Sequence, residues 1–214
     1  SSSGSFPNIV RCRIPFASEK PKDQLYENVL HKDCFIKLYR DKEHLSPAWY
    51  VHPLYKESVD VAVIPIEGIE GSYIHCINSP RVTRYDFQVA VGMDIFVLGF
   101  PIGISTKGFP IWKRGTIGSE PDFDIDGLPK FFIDTATRSG MSGAPVYAMT
   151  TNLWSDEGHT NVRLETGSKF VGIYSGRLGR QDIEAQLGIV WKSSIIEETV
   201  QAAIQAEFVE DRNS

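Results

Sequence analysis

Apolar and polar residues alternate with a period of two along most of this chain. Since successive side chains of a β-strand point to opposite faces of the sheet, this alternation predicts strands with one buried face. Such alternation, or a short apolar run, occurs at residues 10–14, 34–38, 59–66, 95–98, 111–117, 131–133, 144–147, 169–175 and 188–191. Glycine, proline, asparagine and aspartate separate these segments, as is typical of turns. The sequence therefore predicts an all-β protein.

Helical spacing is found at the C-terminal end. Ser194 and Glu197 have the spacing of a capping box, which predicts the start of a helix. Apolar residues then recur every three or four positions and would share one face of that helix. They are Ile196, Val200, Ala203, Ile204 and Phe208.

The segment GFPIG at residues 99–103 divides the predicted strands into two groups, because a proline and two glycines end the run of strands there. We therefore predict an N-terminal β unit over residues 1–98, a C-terminal β unit over residues 99–192, and a helix with a tail over residues 193–214. Two β units without a legible internal repeat fit two barrels that are alike in shape but not in sequence.

Composition and charge exclude several other classes of protein. The 214 residues are 42% hydrophobic and 23% charged, which is typical of a globular chain of one large or two small domains. The formal net charge is −5 and no block of lysine or arginine is present, so we expect no binding to nucleic acid. The longest apolar runs are far shorter than the roughly 20 residues that cross a bilayer, so we expect no membrane insertion.

The cysteines and histidines indicate neither a disulfide framework nor a metal site. Cys12, Cys34 and Cys76 are odd in number, widely spaced and outside any C-x-x-C motif. This favours small buried hydrophobic side chains in a reducing, cytoplasmic compartment. The five histidines show no paired spacing of the kind that binds metals. We therefore expect no metal and no other cofactor.

The most informative segment is TRSGMSGAPVY at residues 137–147. The glycines on either side of Ser142 let the backbone bend sharply, expose the hydroxyl and turn successive N–H groups toward one point. An acyl-transfer nucleophile needs this geometry. Ser142 would attack a carbonyl carbon, and the N–H groups of Gly140 and Ser142 would bind the resulting oxyanion. The residues that follow are strand-like, whereas the nucleophile elbow of an α/β-hydrolase leads into a helix.

Within that segment, SGMSGAP at residues 139–145 resembles the G-x-S-G-x-P nucleophile loop of chymotrypsin-like (trypsin-fold) serine peptidases. DVAV at residues 60–63 is similar to the family's strand that carries the triad aspartate. LGFP at residues 98–101 is similar to the entry into its second barrel, and VGIYSG at residues 171–176 to the strand beside its specificity pocket. The likeness spans roughly residues 50–205 and is greatest to bacterial trypsin-like peptidases.

The resemblance implies a fold and an activity. The fold would be two antiparallel six-stranded β-barrels, of which the first shows only about four predicted strands here, followed by the C-terminal helix. The activity would be that of an endopeptidase that cleaves a polypeptide substrate without a cofactor. Ala136, Ser175, Gly176 and Arg177 would lie at the specificity pocket. Ala136 offers no carboxylate for a basic substrate side chain, and Arg177 either favours an acidic or polar one or lies in a solvated loop.

Asp60 is the candidate acid of a catalytic triad. Its predicted strand is apolar on both faces, so a carboxylate there requires a hydrogen-bond donor. An imidazole N–H is such a donor, and an imidazole bound in this way has the tautomer that deprotonates a serine.

The triad histidine is not identifiable, because the T-x-x-H-V-like segment in which this family carries it is absent from the sequence. Three interpretations are open. An upstream segment outside this sequence carries the histidine, or His31 is the base, or the protein is an inactive homologue that binds peptides or acts as a scaffold. We favour the first, because the chain opens abruptly on serine and glycine and the first barrel shows about four predicted strands where this family has six. His44 falls in a charged turn, and His52 falls in the loop entering the predicted Asp60 strand.

Overall fold

The computed structural model describes residues 7–16, 30–67, 69–72, 76–77, 79, 87–105, 108–155, 162–178 and 187–213. The chain divides into two compact units. The first consists of Ser1–Tyr50 and Ala62–Cys76, and the second of Val51–Val61 and Ile77–Ser214.

The second unit contains a closed barrel of six antiparallel strands. In chain order these are β5 (Asp94–Gly99), β6 (Ile111–Ile117), β7 (Lys130–Asp134), β8 (Pro145–Ser155), β9 (Val162–Arg177) and β10 (Leu187–Lys192). β5, β6 and β7 form a meander. β8 pairs with β5 at one end of the meander, β10 pairs with β7 at the other, and β9 pairs with both β8 and β10. The sheet therefore closes on itself, which pairs the strand edges that an open sheet would expose.

Alternating side chains fill the interior of this barrel. On β5, Ile95 and Val97 are fully buried, whereas Phe96 and Leu98 between and after them are partly exposed. The same alternation on the other strands completes one core, and burying each large apolar side chain contributes about 1.5–3 kcal/mol. The core residues are Ile95, Val97, Ile117, Phe131, Ile133, Met141, Ala144, Val146, Ala148, Val171, Tyr174 and Val190.

Several strands differ in length from the sequence prediction. β6 has the predicted bounds, but β8 and β9 extend to 11 and 16 residues because their pairing continues as a hairpin through mostly polar positions. The strand predicted at residues 59–66 is wrong over most of its length, since only β4 (Ala62–Val63) is regular there. The predicted division between residues 98 and 99 falls inside β5, which is a strand of the closed barrel.

Helix α1 (Ser193–Asn213) follows β10 directly and begins one residue before the predicted cap, Ser194. Its buried positions are Ile195, Thr199 and Ala203, which lie on one face at intervals of four residues. Thr199 is fully buried, and its hydroxyl donates to the carbonyl oxygen of Ile195 at 2.6 Å. That bond satisfies a polar group that would otherwise be costly to bury.

The predicted apolar face of α1 is wrong in its second half. Ile204 and Phe208, which belong to the predicted apolar face, are 43% and 65% exposed, so the second half of that face does not pack against the described residues as a core face would. The orientation of the helix is set at its start, where Ile195 packs with Val59 and Trp191 in a cluster separate from the barrel core. Among the described residues, no helix is both long enough and apolar enough to cross a membrane.

The first unit contains the antiparallel pair β1 (Ile9–Phe16) and β2 (Leu30–Lys37). β3 (Tyr50–Val51) and β4 form a second two-stranded sheet. Of the three cysteines, Cys12 and Cys34 are half-buried and Cys76 is exposed, so the expectation of buried cysteines is wrong for Cys76. The chain is thus mostly β, with a closed six-stranded barrel and a C-terminal helix, and its described residues form that one barrel.

Hydrogen bonds of His52 connect helix α1 with the segment that precedes Asp60. Its imidazole is only 1% exposed. Nδ1 accepts the backbone N–H groups of Leu54 and Tyr55, each at 3.2 Å, and Nε2 lies 2.9 Å from a carboxylate oxygen of Glu198. Because Nδ1 accepts, the proton of the neutral ring is on Nε2, which donates to Glu198. Both ring nitrogens are therefore engaged.

Replacing His52 by alanine should lower the free energy of unfolding by about 2–4 kcal/mol, because two backbone N–H groups lose their acceptor and a buried ring is removed. Urea unfolding followed by far-UV circular dichroism measures this change. Glu197→Ala is the matched control on the same helix turn, since Glu197 is exposed, and it should change the stability by less than about 0.5 kcal/mol. Equal stability of the two variants would contradict a buried tether at His52.

Candidate active site

The Ser142 loop connects β7 to β8 and depends on glycines at two positions. Gly140 and Gly143 have φ angles of +89° and +82°, in the left-handed region that glycine adopts without steric cost. A Cβ at Gly140 would lie 2.7 Å from the carbonyl oxygen of Phe100, so a larger residue does not fit there. Met141 is 1% exposed and fixes the loop to the barrel core, while Ser142 is exposed. The loop thus presents the Ser142 side chain to solvent.

The backbone N–H groups of this loop are used unequally. The Gly143 N–H donates to the carbonyl oxygen of Tyr174 at 2.8 Å, which binds the loop to β9. Among the described residues, none accepts a hydrogen bond from the N–H of Gly140 or Ser142. The two groups that the sequence predicted as oxyanion donors are therefore open to an acceptor from outside the described part of the chain.

A turn from Phe100 to Ile104 supports the other side of the loop. The Ile102 N–H donates to the carbonyl oxygen of Ser139 at 2.8 Å. Ile102 has a φ angle of +53°, although its side chain is β-branched and 72% exposed. Such a conformation costs about 1–3 kcal/mol, and its exposed side chain gains little from packing. The turn is therefore strained where it touches the Ser142 loop.

Asp60 is linked to the same loop through β9. The Ser175 hydroxyl donates to the Asp60 carboxylate at 2.7 Å, and the preceding residue, Tyr174, accepts the N–H of Gly143. A short series of contacts thus joins Asp60, Ser175, Tyr174 and Gly143, which is adjacent to Ser142. The predicted acid and the predicted nucleophile lie in one compact unit and are separated by these few bonded residues.

The surroundings of Asp60 differ from the prediction in two ways. The sequence predicted a carboxylate on an apolar strand with an imidazole as its donor. Instead, Asp60 is exposed and precedes β4, and its donor among the described residues is a serine hydroxyl. One carboxylate oxygen is therefore satisfied by Ser175, and the other has no donor among the described residues. The role of Asp60 in a triad stays a prediction.

Two buried hydroxyls connect the segment before Ser142 to β9. Thr137 and Tyr174 are 1% and 2% exposed, and their hydroxyl groups are hydrogen-bonded to each other. Ala136, predicted to lie at the floor of the specificity pocket, is half-buried and directly precedes Thr137. The other three predicted pocket residues are the last three of β9: Ser175, Gly176 and Arg177. The Thr137–Tyr174 bond, which sequence motifs did not reveal, brings the two predicted sides of the pocket together.

Burial raises the pKa of the Tyr174 hydroxyl above its usual value, although the hydrogen bond to Thr137 and the positive charge of Arg177 act in the opposite direction. Burial also raises the pKa of the Tyr147 hydroxyl, which donates to the carbonyl oxygen of Ile77 at 3.1 Å. Both tyrosines therefore remain neutral to a higher pH in the folded chain than in the unfolded chain.

The histidine that a triad needs is not found beside Asp60 in the described part of the chain. His52 is nearest in sequence, but its ring is buried and engaged with Glu198. His31 lies in the first unit on β2, and His44 lies in a turn of the same unit with a φ angle of +59°. The remaining two, His75 and His159, lie outside the described residues.

Comparisons with known proteins give no match: no family model, no curated protein and no solved structure is significantly similar to this chain. Across the described ranges, no three side chains of histidine, cysteine, aspartate or glutamate lie close enough together to bind a metal ion.

Replacing Ile102 by glycine should raise the free energy of unfolding by about 1 kcal/mol, because glycine relieves the left-handed strain and the lost side chain is exposed. Ile104→Gly is the matched control. Ile104 is also exposed, but its backbone is extended with a φ angle of −73°, so glycine there should lower the stability by about 0.5–1 kcal/mol. Chemical denaturation measures both values, and a loss of stability in Ile102→Gly would show that the turn is not strained.

Stability should fall at alkaline pH as the two tyrosines are forced to ionise. The pKa of Tyr174 is higher in the folded chain than in the unfolded chain, where it is about 10. The stability that the neutral hydroxyl contributes is therefore complete below the unfolded pKa and is lost as the pH rises through the folded pKa. Tyr174→Phe should be less stable than the parent chain at pH 7, because Thr137 loses its hydrogen-bond partner. Between pH 9 and about 11, however, the melting temperature of Tyr174→Phe should fall by less than that of the parent chain. An equal fall in melting temperature in both proteins over this pH range would show that ionisation of Tyr174 does not cause the loss of stability. Tyr147→Phe tests the second buried hydroxyl in the same scan.

Proposed function

We propose that this chain is a serine endopeptidase of the trypsin-like, double-barrel kind, in which Ser142 is the nucleophile and Asp60 is the acid of the triad. The closed barrel over the second half and the C-terminal helix fit the corresponding parts of that fold. In this proposal the first half supplies the other barrel, and the enzyme acts on polypeptides without a cofactor. The observation that carries the proposal is the series of hydrogen bonds from Asp60 through Ser175 and Tyr174 to the Ser142 loop.

Catalysis begins with attack of the Ser142 hydroxyl oxygen on the carbonyl carbon of the scissile peptide bond. The oxygen of the tetrahedral intermediate accepts the N–H groups of Gly140 and Ser142, each worth about 3–4 kcal/mol in the transition state. The amine leaves with a proton, and water hydrolyses the acyl-enzyme on Ser142. The open N–H groups and the left-handed glycines support this role of the loop.

Asp60 orients the general base of this mechanism. Ser175 satisfies one carboxylate oxygen and restrains the carboxylate, and the other oxygen is open to the N–H of an imidazole. That imidazole takes the Ser142 proton through its second nitrogen. Candidates for the base are His31, the two histidines outside the described residues and a histidine upstream of this sequence. His52 is excluded, because both of its ring nitrogens are engaged.

The two segments that the Thr137–Tyr174 hydrogen bond joins select the side chain of the substrate. Ala136 and Gly176 are small and leave room for a substrate side chain, and neither carries a charge that would select lysine or arginine. Arg177 is exposed at the end of β9 and favours an acidic or polar substrate residue near it.

Labelling with a fluorophosphonate, which reacts with activated serines, tests the nucleophile. The parent chain should be labelled if its own histidine is the base, and a chain extended upstream should be labelled if the base lies there. In the labelled form, Ser142→Ala should abolish labelling, while Ser139→Ala is the matched control in the same exposed loop and should be labelled normally. Asp60→Asn should slow labelling by about 100-fold or more, because the base loses its orienting carboxylate. Label that persists in Ser142→Ala would exclude this serine as the nucleophile. Alanine variants of His31, His75 and His159 identify the base by the same loss.

The second candidate is a peptide-binding or scaffold domain without catalytic activity. It is favoured by one observation, that His52, the histidine nearest to Asp60 in sequence, serves the fold and not the Ser142 loop. This candidate predicts no labelling of Ser142, either in this chain or in one extended upstream of it. It also predicts saturable binding of peptides, measured by calorimetry, that Arg177→Ala weakens and Ser142→Ala leaves unchanged.

A further inference from the structure

Two cysteines face each other across the β1–β2 pair. The register of these strands places Cys12 directly opposite Cys34. Both side chains are free thiols and half-buried, so they are accessible to small reagents. Residues directly opposite in an antiparallel pair point to the same face of the sheet. The two sulfur atoms therefore lie on one face, a relation that the spacing along the sequence does not reveal.

The pairing type sets the distance between the two backbones. The Leu38 N–H donates to the carbonyl oxygen of Asn8 at 2.9 Å, so these opposite residues form a hydrogen-bonded pair. Cys12 and Cys34 lie four residues further along an uninterrupted register and therefore occupy the same kind of pair. Opposite residues of that kind have Cα atoms about 5.5 Å apart. Disulfide-linked cysteines have Cα atoms about 4.4–6.8 Å apart, a range that includes this separation. Their Cβ atoms lie about 3.5–4.5 Å apart, so the bridge draws the Cβ atoms of this hydrogen-bonded pair closer together.

The β1–β2 pair is also the element that gains most from such a link. It is a two-stranded sheet, and a hairpin of two strands is marginally stable in water. On the face that carries the cysteines, Ile14 is buried, but Val10, opposite Ile36, is 40% exposed, so apolar contacts are incomplete at that end of the pair. A covalent bond between the strands would fix the register where packing fixes it weakly.

We propose that Cys12 and Cys34 form a reversible cross-strand disulfide by exchange with a small-molecule disulfide such as oxidised glutathione. One cysteine thiolate attacks a sulfur atom of the reagent and releases one glutathione thiolate. The other cysteine thiolate then attacks the mixed disulfide and releases the second. Two electrons pass from the protein to the reagent, and the two thiol protons are taken up by the glutathione thiolates. This inference is independent of the peptidase proposal, since it involves the first unit alone.

The test uses the full chain in its native state, incubated with oxidised or reduced glutathione and then alkylated after denaturation. The reduced protein should take up three alkyl groups, one for each free cysteine, and the oxidised protein should take up at most one, because exposed Cys76 also reacts with glutathione. The oxidised Cys76→Ser protein should take up none and should lose the mass of two hydrogen atoms before alkylation. Peptide mapping should recover a linked pair of peptides containing Cys12 and Cys34, and dithiothreitol should separate them.

Single variants distinguish this bond from other thiol chemistry. Cys76→Ser is the matched control and should form the linked pair as readily as the parent chain. Cys12→Ser and Cys34→Ser should instead stop at a mixed disulfide with glutathione. A linked pair that includes Cys76, an intermolecular dimer as the main product, or three alkylated thiols after oxidation would each overturn the proposal. Peptide mapping of the parent chain decides the question even where a variant fails to fold.

Discussion

The end of strand β9 is the constraint on which the candidate site depends. At Tyr174 the backbone accepts the Gly143 N–H, and the side chain enters the barrel core and bonds to Thr137. The next residue, Ser175, extends out of the core and bonds to Asp60. The register between β9 and β10 shifts at this point: Tyr174 and Gly176 pair with consecutive residues of β10, and Ser175 between them has no partner on that strand. One short segment thus reaches the core and the acid at the same time. Both contacts lie on a strand that is paired on both edges, so the closed barrel holds them in place.

Sequence patterns predicted the barrel better than they predicted its contacts. Alternation identified the strands because each buries one face, as at Ile95 and Val97. It failed at the extension of β8 and β9, where backbone pairing continues through mostly polar positions. It failed again at residues 59–66, where an apolar run does not join a long strand. A second barrel was predicted from the family resemblance, and the described residues form one closed barrel.

In the candidate site, features set by neighbouring residues could be predicted from the sequence, whereas contacts between distant residues could not. The glycines around Ser142 carry a local signal, because left-handed backbone at positions 140 and 143 requires them. The bonds between Thr137 and Tyr174 and between His52 and Glu198 join residues 37 and 146 positions apart. No pattern within a short window encodes such pairs. The strain at Ile102 was equally invisible, because an isoleucine in sequence predicts extended backbone.

Helix α1 begins at the residue after β10 with no connecting turn between them. The last strand of the barrel and the first turn of the helix therefore share one stretch of backbone, and Trp191 and Ile195 bury each other across that junction. Unfolding the first turn of the helix would therefore expose the apolar end of the barrel to solvent. Near its C-terminus, Ile204 and Phe208 are already exposed, so unfolding there does not uncover the barrel. Amide hydrogens of α1 that have acceptors within the helix would accordingly exchange with solvent in a gradient, slowest around Thr199 and fastest toward the C-terminus.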